Sequence, residues 1–332
     1  MITQIKMAVA LLLFAETALV AATSVMELGL KGDGQTDDTA ALQQLLAAGK
    51  LELDFPPGTY LLGTVELPAG ASLHFSPMAR IKVVPAKIQE LKGESSKDLA
   101  RPLFLLKGDR IVVDGLDAAG VLETTDKDQR GRERLAVNRL FHGENVADLT
   151  FRRLRAVLAE KRAKASPTLL YLAQCRDIVL ADSQMENLMH GVHAVRCRNV
   201  SVHGNRALYC NTITTFTDSE YLRHYDNWSR CVIYQCVFRG GSPDPSRKAP
   251  RVPLGSSATV IRGLDPTQTN YNAHLAGTYD IQISNNYAEY GRTLAWGNKG
   301  RDVIFAGNIS RFMNDYSYGI EGCENVVFAN NI

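Results

Sequence analysis

The sequence predicts an all-β protein, a right-handed parallel β-helix built as a solenoid of coils of roughly 22 residues with a capping helix near its N-terminus. Three observations lead to this prediction. A short motif recurs at a nearly constant interval, the copies of the motif read as short β-strands, and a helical segment precedes them. A period of this size is typical of stacked coils in which each turn of chain pairs with the next.

The recurring motif has the form x-x-(Asp/Asn)-(Ile/Val)-x-apolar-x-x-polar. It occurs in "CRDIVLADS" (175–183), "CRNVSVHGN" (197–205), "TYDIQISNN" (278–286), "GRDVIFAGN" (300–308) and "CENVVFANN" (323–331). The anchors are Asp177, Asn199, Asp280, Asp302 and Asn325, and successive anchors are 22, 22 and 23 residues apart where no long insertion intervenes. The dense leucine pattern of leucine-rich repeats and the Trp-Asp signature of propellers are absent from the sequence. Asn at a coil corner suits a bend and can bond the backbone of the next coil.

The N-terminal segment "TDDTAALQQLLAAG" predicts the capping helix, within residues 32–50. Thr36, Asp37 and Asp38 are candidate N-cap residues, and Gly49 is the candidate stop. The predicted apolar face consists of Ala41, Leu42, Leu45 and Leu46. A helix of this kind would cover the open first coil of the solenoid, whose backbone groups and apolar interior need protection from water.

Composition and the chain ends define the cellular setting. Residues 1–22 read as a signal peptide, with Lys6 before a short apolar run, so we expect a secreted or periplasmic protein with one β-helix domain over 23–332. The net charge of +2 gives no drive toward nucleic acid, and no later stretch is long and apolar enough to span a membrane. The sequence stops within a repeat at "FANNI", which predicts a truncated chain or an uncapped last coil that associates with another subunit.

The six cysteines favour buried thiols. Cys175, Cys197 and Cys323 occupy the same motif position, as expected of small side chains stacked in a core. Disulfides are the alternative in an exported protein. No metal site is predicted, because neither a CxxC nor an HExxH pattern occurs.

The segments "GDGQTDDTAALQQLL" and "LDFPPGTYLL" resemble the start of the pectate-lyase-like β-helix superfamily, which includes polygalacturonases, rhamnogalacturonases, uronan epimerases and phage tailspikes. The resemblance implies a protein that acts on polysaccharides. The acid motifs of polygalacturonases are not present: "DD" occurs only at Asp37–Asp38, and His190-Gly191 lacks the second glycine of Gly-His-Gly.

In related hydrolases the acids lie on, or just before, the strand that precedes the repeat motif. The resemblance therefore points to Glu289, Asp315, Glu321 and His190 as catalytic candidates. Asp218, in the segment 211–229, is a further candidate. Residues one or two coils apart would be separated by roughly 5–10 Å, which matches the carboxylate pairs of glycosidases. His193, three residues after His190, is expected on the opposite face unless a bend intervenes.

The predicted function is a secreted glycoside hydrolase that cleaves a neutral or acidic polysaccharide with a carboxylate pair, Glu289 with Asp315 or Glu321. The candidate substrate-binding residues are Arg292, Tyr225, Trp228, Trp296, Tyr316, Lys161 and Arg162. The alternatives are a lyase or epimerase acting on uronic-acid polymers, or a non-catalytic binding or structural β-helix. No cofactor is predicted for hydrolysis. If the reaction is an elimination on a uronic acid, Ca²⁺ is a candidate for the cation that neutralises the substrate carboxylate.

Overall fold

The computed structural model describes residues 22–92, 99–128, 130–159, 167–240 and 278–332. Three parallel sheets, named A, B and C below, stack along one solenoid, so the predicted parallel β-helix is confirmed. The predicted signal peptide lies outside the described residues. No helix in the described part of the chain has the length and apolar character needed to cross a membrane.

Strands are numbered in chain order and given in spatial order for each sheet. Sheet A contains β1 (Thr23–Ser24), β3 (Glu52–Phe55), β6 (Ser72–Phe75), β11 (Ile111–Asp114), β15 (Ala147–Arg152), β18 (Arg176–Ala181), β21 (Arg198–His203), β24 (Glu220–Tyr225), β27 (Thr278–Ser284), β30 (Gly300–Ala306) and β33 (Glu324–Ala329). Sheet B contains β16 (Arg155–Val157), β19 (Gln184–Glu186), β22 (Arg206–Leu208), β25 (Trp228–Arg230), β28 (Tyr287–Glu289) and β31 (Ile309–Arg311). Sheet C contains β5 (Val65–Leu67), β10 (Pro102–Leu106), β14 (Arg139–Glu144), β17 (Thr168–Ala173), β20 (His190–Val195), β23 (Thr212–Thr217), β26 (Tyr234–Arg239), β29 (Thr293–Asn298) and β32 (Tyr318–Glu321).

The remaining elements are short. A three-stranded parallel sheet is formed by β2 (Asp33–Asp37), β4 (Gly58–Leu62) and β7 (Ala79–Val83). Two antiparallel pairs are formed by β8 (Leu91–Lys92) with β9 (Leu99–Ala100) and by β12 (Thr125–Lys127) with β13 (Glu133–Leu135). The helices are α1 (Thr39–Ala47), α2 (Ala119–Glu123) and a 3₁₀ turn (Pro85–Lys87).

Each complete coil runs from sheet C to sheet A, then to sheet B, and back to sheet C. In the coils that begin at β14, β17, β20 and β23 the turn from C to A is two residues long, for example Arg196 and Cys197 between β20 and β21. The repeat anchors follow this turn in the left-handed backbone region, with φ of 56° at Asp177 and 53° at Asn199. Asp and Asn tolerate this conformation better than other residues with side chains, which explains the recurrence of these two residues in the sequence.

A buried asparagine ladder stabilises the corner between sheets A and B. Its members are Asn205, Asn227, Asn286, Asn308 and Asn331; all except Asn227 end a copy of the repeat motif, and all except Asn331 are buried. Asn286, for example, donates from Nδ2 to Asn308 Oδ1 (2.9 Å) and to the carbonyl of His224 (3.0 Å). The predicted bond from Asn to the next coil is present, because the backbone N–H of Asn286 also donates to Asn308 Oδ1 (3.0 Å).

The interior changes character along the axis. Near the N-terminus it is apolar, with Phe104 and Phe141 stacked at 5.1 Å and both fully buried. In the middle, His224 of sheet A and Thr214 of sheet C point inward, and Thr214 Oγ1 lies 3.2 Å from His224 Nδ1. Burial lowers the pKa of His224 to about 3, so its ring is neutral at physiological pH.

Helix α1 lies where the sequence placed it. Leu42 and Leu46 are buried in the core, and Gly49 follows at φ 78°. Asp38 is the N-cap residue by position, but the bond to the first helical N–H comes from Asp37 Oδ1 (3.0 Å to Thr39 N). The role of α1 as a cap of the first coil stays a prediction.

All six cysteines lie in described segments and none forms a disulfide. Cys175 and Cys197 are buried and stacked on successive coils, with their thiols directed at the carbonyls of Gly143 (3.5 Å) and Leu172 (3.4 Å). Burial raises the pKa of Cys236 to about 12, so this thiol stays protonated. Cys175 and Cys197 are therefore small core residues, as their motif position predicts, and Cys210 and Cys236 are buried as well, whereas Cys231 and Cys323 are half-buried.

Candidate functional site on the outer face of sheet C

The outer face of sheet C brings together most of the described polar candidates. Three rows of side chains run along the solenoid axis on this face. The first row is Arg139, Thr168, His190, Thr212, Tyr234 and Thr293; the second is His142, Tyr171, His193, Thr215, Val237, Trp296 and Gly319; the third is Glu144, Ala173, Val195, Thr217, Arg239, Asn298 and Glu321. Successive members of a row lie about 4.8 Å apart because they sit on neighbouring strands.

The N-terminal half of this face carries a histidine cluster, defined as Arg139, His142, Glu144, Tyr171, His190 and His193. Arg139 Nη1 donates to His142 Nδ1 (2.9 Å), so His142 Nε2 carries the proton that is donated to Glu144 Oε1 (2.9 Å). The guanidinium of Arg139 also lies 3.6 Å from the centre of the Tyr171 ring. Burial, partly offset by Glu144, lowers the pKa of His142 and keeps its ring neutral.

His190 and His193 share one face, contrary to the expectation from strict strand alternation. Their ring centres are 4.9 Å apart, and the two residues between them, Gly191 and Val192, are both buried. Two successive inward residues require a local bend of β20, which returns His193 to the outer face. His190 Nδ1 lies 2.6 Å from Thr212 Oγ1, and burial together with the nearby charges of His193 and Arg239 lowers the pKa of His190 to about 3.

The C-terminal half carries an aromatic–acid patch, defined as Tyr234, Arg239, Arg292, Trp296, Asp315, Tyr316 and Glu321. Trp296 is central: its indole N–H donates to Glu321 Oε1 (3.3 Å), and the guanidinium of Arg239 lies 5.3 Å from its ring centre. The rings of Trp296 and Tyr316 both lie over Gly319, where a Cβ atom would collide with them. Two aromatic rings therefore meet at the surface beside a carboxylate.

Arg292 connects the patch to the acid before β32. Its Nε donates to Asp315 Oδ2 (3.2 Å) and its Nη1 donates to the hydroxyl of Tyr234 (2.9 Å). The bond to Asp315 raises the pKa of Arg292, so the guanidinium remains charged and Asp315 is its counter-ion. Asp315 is thus occupied by an ion pair, whereas Glu321 accepts only from neutral donors, Trp296 and Asn298, among its described contacts.

The structure separates the other predicted residues from this face. Glu289 lies on sheet B, 3.6 Å from Arg230, and accepts from the Tyr287 hydroxyl (3.0 Å). Trp228 is also on sheet B, with Arg206 over its ring at 4.6 Å, and Tyr225 on sheet A stacks on His203 at 4.8 Å. Lys161 and Arg162 lie outside the described residues.

The predicted pairs of Glu289 with Asp315 or Glu321 are divided between two sheets, because Glu289 ends β28 of sheet B, whereas Glu321 ends β32 of sheet C and Asp315 precedes that strand; these pairs stay predictions. Asp315 aligns with Arg292 and Glu321 aligns with Asn298, so six residues of strand, about 20 Å, separate the two acids along sheet C. Asp218 lies at the corner after β23, three strands from Glu321, or about 14 Å by strand spacing. Glycosidase pairs are about 5–10 Å apart, so the backbone positions fit neither Asp315 with Glu321 nor Asp218 with Glu321.

The sequence-based list missed Arg139, His142, Glu144, Tyr171, Tyr234 and Arg239. The signal that would have found them is register: these residues occupy the rows of His190, His193 and Glu321 on neighbouring strands. In the described part of the chain no three His, Cys, Asp or Glu side chains come together to hold a metal ion, so we derive no step through Ca²⁺.

Comparisons with known proteins agree with this architecture. A family model described as "Rhamnogalacturonase A/epimerase, pectate lyase-like" matches residues 22–73. A tailspike protein mutant of Escherichia coli bacteriophage HK620, solved with a pentasaccharide, aligns with a TM-score of 0.50 at 10% identity over 93% of this chain and 63% of its own. Among curated proteins, none matches this chain.

Two exopolygalacturonases are similar in shape at lower scores. The family 28 enzyme of Yersinia enterocolitica aligns with a TM-score of 0.49 at 10% identity over 91% of this chain and 77% of its own. The enzyme of Thermotoga maritima aligns with a TM-score of 0.41 at 11% identity over 92% and 91%. The chain therefore has the pectate-lyase-like right-handed β-helix fold, as its N-terminal motif indicated.

Proposed function

We propose that this protein is a secreted or periplasmic carbohydrate-active enzyme that cleaves a polysaccharide bound along the outer face of sheet C. The observation that carries the proposal is the aromatic–acid patch, in which the Trp296 and Tyr316 rings meet beside Glu321. Aromatic rings pack against the C–H faces of sugars, and a carboxyl group beside them is positioned for proton transfer to a glycosidic oxygen.

The family model and the fold support this proposal. The matched model is named for a rhamnogalacturonase and an epimerase, and similar structures include exopolygalacturonases and a tailspike solved with an oligosaccharide. Solenoids of this kind present long, straight flanks, which suit extended polymers better than small molecules. The rows on sheet C run parallel to the axis, in the direction such a polymer would follow.

For hydrolysis we assign Glu321 as the proton donor. Its carboxyl oxygens accept from Trp296 Nε1 (3.3 Å) and Asn298 Nδ2 (3.3 Å), which hold the group beside the aromatic rings. Asp315 is instead a positioning residue that orients Arg292 toward the substrate. Hydrolysis also needs a second carboxylate, and neither Asp315 nor Asp218 lies at pair distance from Glu321.

Elimination on a uronic acid is the second candidate, and the histidine cluster favours it. This reaction needs one base and a cation near the substrate carboxylate, without a second acid. His190 is neutral, and Arg239 is near enough for its charge to lower the pKa of His190. A neutral imidazole beside a guanidinium supplies both requirements, although a pKa of about 3 makes the imidazole a weak base.

A substrate screen tests the proposal and separates the two reactions. The purified protein is incubated with neutral and acidic polysaccharides, and reducing ends and ultraviolet absorbance are followed together. Hydrolysis yields reducing ends alone, whereas elimination also yields an unsaturated, absorbing product. Glu321→Gln should abolish the first signal and His190→Gln the second, and the absence of both signals in the wild-type protein across the panel would contradict the proposal.

A further inference from the structure

Sheet A carries an arginine-lined cavity that is separate from the proposed catalytic face. Its volume is about 440 Å³, and it is lined by Arg176, Asp177, Arg198, Asn199, Tyr221 and Arg223. These residues come from three successive coils, on or beside strands β18, β21 and β24. The volume is within the range of cavities that hold small ligands, about 300–1,000 Å³.

The three guanidinium groups are oriented by acids that use only part of each group. Arg176 and Arg198 approach Asp177 (3.7 Å) and Glu220 (3.3 Å) through Nε. Nε is the atom that makes both contacts, and both side chains are mostly exposed, 65% for Arg176 and 61% for Arg198. Guanidinium groups held in this way keep their outer donors for a planar oxyanion.

The carboxylates around the cavity already accept hydrogen bonds from neighbouring side chains. Asp177 Oδ1 accepts from Asn199 Nδ2 (2.7 Å), which joins two coils across the cavity wall. Asp280, on the far side, accepts from Arg223 Nη1 (3.1 Å). Because these carboxylates are bound, they shape the cavity and repel an incoming anion less than free carboxylates would.

Tyr221 adds a ring at the rim of the cavity. It is 37% exposed, and its backbone has φ of 55°, a conformation that bulky residues rarely adopt. The corresponding positions on other coils hold Asp177, Asn199, Asp280 and Asp302, which fit this conformation at lower cost. A strained aromatic residue where the fold favours Asp or Asn, with Arg198 at 4.9 Å from its ring, indicates a binding role.

We propose that this cavity is a second binding site, for an oxyanion-bearing sugar unit of an acidic polysaccharide. Arg176 and Arg198 bind the carboxylate or sulfate group, and Tyr221 packs against the sugar ring. The site holds the polymer and performs no chemistry. It lies on a different sheet from the aromatic–acid patch, so it does not require that sheet C be catalytic.

Native gels that contain polygalacturonate, dextran sulfate or neutral dextran test this proposal. The protein variant Arg176→Gln/Arg198→Gln is compared with Arg206→Gln/Arg230→Gln, a control that removes the same charge from sheet B. Both pairs are made in a Trp296→Ala background, so that sheet C contributes less to retardation. We expect each Arg lost from the cavity to weaken binding of one anionic polymer about tenfold, with the control within about twofold.

The two anionic polymers distinguish a carboxylate ligand from a sulfate ligand. Equal weakening in the cavity variant and the control, equal retardation by neutral dextran, or no retardation of the wild-type protein would overturn the proposal. If the double variant fails to fold, Arg198→Lys keeps the charge but loses the planar donor pair, and it should still weaken binding severalfold. Cleavage is scored separately, so a protein that cleaves nothing but shows arginine-dependent retardation would refute the proposed function and leave this site standing.

Discussion

The outer faces of sheets C and A belong to the same coils but differ in how far water reaches them. On sheet C, His142 is 6% exposed, Tyr171 5% and Val237 1%, although all three point away from the interior. On sheet A, Tyr221 is 37% exposed, Ile304 43% and Val327 52%. In the four coils that begin at β14, β17, β20 and β23, a turn of only two residues separates the two environments.

This difference determines the chemistry that each face supports. Around the histidine cluster of sheet C, burial shifts the pKa of His142 and of His190, and hydrogen bonds between these side chains are poorly screened, whereas the aromatic–acid patch of the same sheet is more open, with Tyr316 38% exposed. On the open face of sheet A, ion pairs such as Arg198–Glu220 remain solvated and contribute little to stability. The first setting suits proton transfer, and the second suits reversible capture of a charged polymer.

The largest expected effect is on catalysis at sheet C. Glu321→Gln removes the proposed proton donor and should lower kcat by about 10²–10⁴-fold on any polysaccharide that the wild-type protein hydrolyses. Glu324→Gln is the matched control, because Glu324 lies three residues later on the open face of sheet A and is exposed. Equal losses in the two variants, measured as reducing ends, would remove the distinction between the faces.

Stability should depend most on the corner between sheets A and B, where the buried asparagine ladder joins successive coils. Asn286→Ala leaves the buried N–H of Asn227 without its acceptor (3.0 Å) and should lower the free energy of unfolding by about 2–4 kcal/mol. Asn325→Gly is the control, since Asn325 lies outside the ladder, donates to Asp302 Oδ1 at the surface (2.8 Å) and has φ of 52°, a conformation that glycine adopts freely. Denaturant titration should show a loss below about 1 kcal/mol for the control; a comparable loss in both variants would contradict the role of the buried ladder.

His224, buried in the interior between sheets A and C, should make the free energy of unfolding depend on pH. His224 has a pKa of about 3 in the folded protein against 6.5 in the unfolded chain, so the unfolded state binds the extra proton between these values. Its stabilising contribution is complete above pH 6.5 and is lost as the pH falls toward 3. Between pH 7 and pH 5 the wild-type protein should lose about 2 kcal/mol more stability than His224→Gln, measured by chemical denaturation at both pH values. Parallel losses would mean that the ring is protonated inside the fold.

A smaller effect is expected from the aromatic surface of sheet C. Trp296→Ala should raise KM about tenfold, because it removes a sugar-stacking ring and the donor to Glu321 Oε1 (3.3 Å). Trp296→Phe keeps a ring but loses the N–H, so it should recover most of the KM and leave kcat lowered. Steady-state kinetics separate the two effects, and identical behaviour of both variants would rule out stacking.

The sequence was sufficient to predict the fold because every coil needs the same residue types at the same positions. A corner in the left-handed region favours Asp or Asn in every coil, and the next corner needs a buried amide to continue the ladder. The spacing of Asp177 and Asn199 therefore reveals the length of the repeat, and Asn205 and Asn286 mark the last residue of the motif. These requirements are local and recur, so a single sequence displays them.

The site was harder to predict because spacing along the chain does not report which sheet a residue joins. His190 and His193 are three residues apart and share sheet C, since β20 bends between them. Glu289 and Arg292 are also three residues apart, but the chain turns from sheet B to sheet C between them. Only the positions of the bends distinguish the two cases, and these depend on packing in the neighbouring coils.

The most direct test of the account is a crystal structure of Glu321→Gln with an oligosaccharide taken from a polymer that the wild-type protein cleaves. The account predicts sugar density along the outer face of sheet C, with one ring packed against Trp296 and its glycosidic oxygen within hydrogen-bonding distance of residue 321. Density confined to sheet A or sheet B, with the patch around Trp296 left to solvent, would contradict it.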